Sequence, residues 1–107
     1  METLIRNIKF TRGNTYGFQV SITGNISEIK NVYFTVKDGA GVKQIEKKLD
    51  DGITLNDKSI VVKLKPEDTD ELIEEVQYKY DLHINYGLDD EWTPMKGMFT
   101  AGWKVTD

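Results

Sequence analysis

The chain has 107 residues, no cysteine and a formal charge of −4. That length suits a single domain spanning residues 1–107, and 38% hydrophobic against 30% charged residues suits a folded chain rather than a disordered one. Lack of cysteine excludes disulfides, thiol nucleophiles and cysteine zinc sites, a pI near 5.0 argues against a nucleic-acid partner, and no apolar run approaches the ~20 residues of a membrane helix.

The elements follow from side-chain alternation, since successive strand residues face opposite sides. A first strand is expected around Leu4–Phe10, with Ile8 and Phe10 in phase. Arg12-Gly13-Asn14 then turns the chain into a strand with Tyr16, Phe18, Val20 and Ile22 on its apolar face. Thr23-Gly24-Asn25 closes it. Val32, Phe34 and Val36 mark the next strand, and Asp38-Gly39-Ala40-Gly41 reads as a hairpin turn. A lesser strand at Gln44–Leu49 carries Ile45 and Leu49 with poor phase. Turns at Asp50-Asp51-Gly52 and Asn56-Asp57-Lys58 precede Ile60, Val62 and Leu64.

The segment from Pro66 to Glu75 breaks this rhythm. Proline at a first helical position and acids near the positive end of the helix dipole predict a short helical bridge, with Leu72, Ile73 and Val76 facing inward. The longest alternation follows: Tyr78, Tyr80, Leu82, Ile84 and Tyr86. After Gly87-Leu88-Asp89-Asp90 the last strand holds Phe99, Ala101, Trp103 and Val105. Pro66 and Pro94 are both expected outside the strands or at their margins. Turns at this spacing predict an all-β chain, an antiparallel immunoglobulin-like β-sandwich of about seven or eight strands with one short helical turn. Tyr78, at the bridge, is expected to donate its hydroxyl to the bridge backbone as a tyrosine corner does.

No residue set specifies catalysis, a cofactor or a metal. His83, the single histidine, shares the polar face of its strand with Asp81 and Asn85, without a nucleophile elbow in the sequence. Asp68-Thr69-Asp70-Glu71 offers hard oxygen ligands but not the spacing of a calcium loop, and acids at a helix start have their own electrostatic reason. Asn25-Ile26-Ser27 matches a glycosylation acceptor, idle in a chain whose first residues lack a secretory h-region. Residues 1–65 carry 11 basic and 7 acidic side chains, whereas 66–107 carry 3 and 11, which offers opposite charges to two copies. Trp92, Tyr86 and Tyr33 are the aromatics expected to be partly exposed and form the candidate interaction surface, for a protein or a sugar.

Several ordered motifs resemble one family. They are Arg12-Gly13-Asn14-Thr15 before an alternating strand, Phe34-Thr35-Val36-Lys37-Asp38, and Asp51-Gly52-Ile53-Thr54. Leu64-Lys65-Pro66-Glu67-Asp68-Thr69, Tyr78-Lys79-Tyr80-Asp81-Leu82 and Lys96-Gly97-Met98-Phe99 follow, with Val105-Thr106 at the end. The set resembles the N-terminal β-sandwich of the baseplate upper protein family from phages of Gram-positive bacteria. The resemblance implies a non-enzymatic virion structural or adaptor domain of a phage or prophage tail, assembled in the bacterial cytoplasm. Its implied partners are other virion proteins and further copies of itself, with no cofactor, nucleic acid or membrane. A carbohydrate-binding β-sandwich module is the alternative.

Overall fold

The computed structural model describes residues 3–22, 28–56, 58–87 and 90–103. The strands are β1 (Leu4–Ile5), β2 (Ile8–Thr11), β3 (Tyr16–Ser21), β4 (Asn31–Lys37), β5 (Lys43–Leu49), β6 (Gly52–Asn56), β7 (Ser59–Leu64), β8 (Gln77–Gly87) and β9 (Asp90–Gly102), with helix α1 (Pro66–Thr69) between β7 and β8. They form one curled sheet in the order β1-β9-β8-β4-β5-β6-β7-β3, with β2 also on β9. The all-β expectation is met. The sheet is mixed rather than purely antiparallel, because β1 and β2 run parallel to β9, and β5 runs parallel to β6 over Lys48–Gly52 and Leu49–Ile53. At that corner Asp50 and Gly52 have φ of 69° and 90°, which lets the chain step sideways within a few residues instead of reversing.

The core comes from the alternating positions. Val32, Phe34 and Val36 of β4, Ile60, Val62 and Leu64 of β7, and Leu82 and Ile84 of β8 are completely buried. Five rings close a loop of contacts across the interior: Phe10–Phe99 at 4.9 Å, Phe99–Phe34 at 5.8 Å, Phe34–Phe18 at 5.5 Å, Phe18–Tyr16 at 6.2 Å and Tyr16–Phe10 at 5.3 Å. This loop draws β3, at one end of the strand path, onto β2 and β9 at the other. Each such pair adds about 0.5–1.5 kcal/mol beyond its buried area.

Several expectations need correction. The expected first strand is two, β1 and β2, both with the same offset to β9 (Leu4 beside Met95, Ile8 beside Phe99). The break lies at Arg6-Asn7, where the Asn7 side-chain oxygen accepts the Met98 N–H at 3.1 Å in place of a backbone carbonyl. Gly52–Asn56 is a strand, β6, with Ile53 fully buried, where sequence alone suggested only flanking turns. Pro94 lies inside β9 rather than at a strand margin. It sits where the β8–β9 register slips between Leu82 and Ile84, a bulge that tolerates the missing N–H. Trp103 is 60% exposed, because β9 and its ladder end at Gly102.

The helix spans only Pro66–Thr69, so helical spacing is lost beyond it: Leu72 is buried, but Ile73 and Val76 are exposed. The rest of the bridge is held as turns by Arg12. Its guanidinium donates to the Asp70 carbonyl at 2.8 Å and to the Glu74 carboxylate at 2.5 and 3.1 Å. The Asp38 turn forms as expected, with its carboxylate accepting the Ala40 and Val42 N–H groups at 2.9 Å each. The turn at Thr23–Asn25, the Asn25–Ser27 acceptor, Asp57, Leu88-Asp89 and Val105-Thr106 lie outside the described residues.

Candidate functional site

The outward phase of β4, β8 and β9 builds a shallow groove of ≈ 650 Å³. Cross-strand register aligns its floor in rows. Thr35 faces Asp81, Asp81 faces Lys96, and Lys96 faces Ile5 of β1. In the next row Lys37 faces Lys79 and Lys79 faces Met98. The Asp38–Gly41 turn and Lys43 wall one end, and Asn7 the other side.

Lysines dominate this lining. Lys43 is held 2.5 Å from Glu46, and its hydrogen bond and charge pull the Glu46 carboxyl below its ordinary value. The Asp38 carboxylate is occupied by its own turn and by Gln44 Nε2 at 3.2 Å. Among the described residues no salt bridge within 4 Å engages Lys37, Lys79 or Lys96. Four ammonium groups, those of Lys37, Lys43, Lys79 and Lys96, therefore share a concave face with two carboxylates, Asp38 and Asp81, on a chain of net charge −4. Such a face attracts carboxylate-bearing surfaces, and Ile5 and Met98 supply the apolar contact that ion pairs alone lack. No motif marks these lysines in sequence. Their shared outward phase shows only once the register of three strands is known.

The aromatic candidates do not meet on one surface. Tyr86 and Trp92 are half-buried and pack against the core. Tyr33 is half-buried on the opposite face, between Lys48 and His83. Hence a sugar-stacking platform built from all three is not assembled in this fold.

His83 pairs across strands rather than along its own. Nδ1 lies 3.0 Å from Thr93 Oγ1 and Nε2 lies 3.1 Å from Glu91 Oε1, so β9, and not Asp81, orients the ring. Asp68 is likewise engaged: its carboxylate accepts the Lys65 N–H at 2.7 Å and holds Lys47 Nζ at 2.7 Å.

Tyr78 does reach the bridge backbone, but with the polarity reversed: the Ile73 N–H donates to the Tyr78 hydroxyl at 2.8 Å. The neighbouring Tyr80 hydroxyl donates to the Arg6 carbonyl at 2.5 Å, tying β8 to the break between β1 and β2. Burial pushes the Tyr80 phenol up to about 12, with the Arg6 charge acting weakly the other way.

No protein-family model matches the chain, and no curated protein does.

Proposed function

We propose that the chain is a non-enzymatic assembly domain, a structural or adaptor component of a phage or prophage tail, that docks virion proteins through the lysine groove. The reading draws on the ordered turn and strand motifs and on one observation above all: Lys37, Lys79 and Lys96 line an open concave face and form no salt bridge among the described residues. A broad, charged, shallow face suits a protein surface better than an enclosed small-molecule site. The proposed architecture is immunoglobulin-like. β1/β2, β9, β8, β4 and β5 would make one layer, and β6, β7 and β3 the facing one, their strands paired among the described residues through the brief β5–β6 parallel contact. The link between Tyr78 and the bridge fits that arrangement.

The test is particle association. Tail particles purified from an induced host should carry the chain in fixed stoichiometry, and the double variant Lys79→Glu/Lys96→Glu should be lost from them while remaining folded. Particles devoid of the chain overturn the assembly reading. Particles that retain the double variant overturn the groove as its docking face.

A further inference from the structure

β3 ends the strand path, and among the described residues no strand pairs with its outer side. The Ile22 N–H donates to the Lys58 carbonyl at 2.8 Å, which fixes the alternation of the β3–β7 ladder. Tyr16, Phe18 and Val20 thus exchange hydrogen bonds with β7, and the backbone groups of Gly17, Gln19 and Ser21 point to the open side. All three of these residues are exposed.

Open edges are normally blunted by lysine, proline or brevity. β3 has none of these devices: it is six residues long and contains neither proline nor charge. In fact no Asp, Glu, Lys or Arg occurs from Gly13 to Ser27, although 30% of the chain is charged. Phe18 and Val20 lie on the core side of this strand yet stay half-exposed, unlike the fully buried Val62 and Ile60 opposite them.

We propose that β3 is the seam of a two-fold dimer, pairing antiparallel with β3 of a second copy so that Gln19 lies opposite Gln19. The proposal rests on the assembly reading above and supplies its self-association step. A second copy is the occupant because the open edge is complementary to itself about Gln19, and the strip without charged residues from Gly13 to Ser27 lets two chains of net charge −4 meet there without like charges in contact. The register follows from the backbone. Paired residues must share a face, and a dyad at Gln19 sets Gly17 against Ser21, so every open-pointing residue of β3 meets another. That yields about six new backbone hydrogen bonds, and Phe18 covers Val20 of the other copy on the core side. The join makes β6-β7-β3 continuous with its symmetry mate, closing the interface as a dimer rather than a filament.

The chain lacks cysteine, so single cysteines report the seam cleanly. In sedimentation equilibrium the full chain should dimerise, and Gln19→Lys, which puts two like charges face to face, should raise the dissociation constant roughly 10-fold or more with an unchanged circular dichroism spectrum. In a glutathione redox buffer Gln19→Cys should form a disulfide-linked dimer far faster than Gln44→Cys, an exposed control on β5. A chain that stays monomeric, a dimer indifferent to Gln19→Lys, or equal cross-linking at both positions overturns the seam. A chain found in particles yet not cross-linking at position 19 sinks the seam alone, and a Gln19-paired dimer absent from particles sinks the assembly reading alone.

Discussion

Lys47 Nζ lies 2.7 Å from Asp68 Oδ1, with only 15% and 14% of the two side chains exposed. The pair joins the inward face of β5 to helix α1. The lysine stem passes over Gly52, where an added Cβ would sit 2.9 Å from Lys47 Cδ. Removing the lysine leaves a largely buried carboxylate with, among the described residues, the Lys65 N–H alone for compensation. Lys47→Met should therefore cost about 2–3 kcal/mol in urea unfolding, and the double variant Lys47→Met/Asp68→Asn should recover part of it. A single variant as stable as the parent would show the pair to be energetically idle.

Gly97 is the contact point for the break between β1 and β2. A Cβ there would fall 2.2 Å from the Arg6 carbonyl oxygen, which is backbone and cannot swing aside. Gly97→Ala should prise the first strand from β9 at a cost of at least about 2 kcal/mol. Hydrogen exchange at Arg6, whose N–H donates to the Lys96 carbonyl at 2.9 Å, is the local readout and should accelerate.

Tyr80 makes stability depend on alkaline pH. Its phenol titrates at 10.0 when unperturbed and is pushed up to about 12 in the fold, chiefly by burial. The folded chain thus holds this proton more tightly than the unfolded one. The contribution is complete below pH 10.0, shrinks as pH climbs towards about 12, and is gone above that. Tyr80→Phe should lower stability by about 1–2 kcal/mol at neutral pH, since the Arg6 carbonyl loses its donor. It should also flatten the decline in urea midpoint between pH 10.0 and about pH 12. Equal slopes in both proteins would assign the alkaline loss to another group.

Tyr78 secures the bridge. Tyr78→Phe keeps the ring in the core but deprives the Ile73 N–H of its acceptor, at a cost of about 1–2 kcal/mol. Faster exchange at Ile73, with core amides of β4 unchanged, is the expected pattern.

The residues explain why some elements were legible and others were not. β4, β7 and β8 read directly because every second residue is apolar and that face lies in the core. β5 read poorly because Lys47 occupies an inward position between Ile45 and Leu49, and only its distant partner Asp68 makes that tolerable. The extent of β9 was hidden by Pro94, since a bulge is a property of pairing rather than of the strand itself. The bridge misled because proline and acids report a helix start, whereas its early end is set by contacts from Arg12 far away in sequence. The groove was illegible for a related reason: Lys37, Lys79 and Lys96 come from three strands, and nothing local brings them together. Alternation identifies faces, and pairing partners decide what those faces do.

The parallel seam between Leu4–Thr11 and Met95–Gly102 also governs the order in which the molecule is made. During translation the β1–β2 segment leaves the ribosome long before its partner β9 exists. Ile8 and Phe10 must wait, uncovered, while the intervening strands emerge, and Phe99 reaches them only after β3 to β8 have been made. Completion of the fold is thus timed by the arrival of β9, and a nascent chain halted before Met95 holds a β1–β2 segment with nowhere to dock.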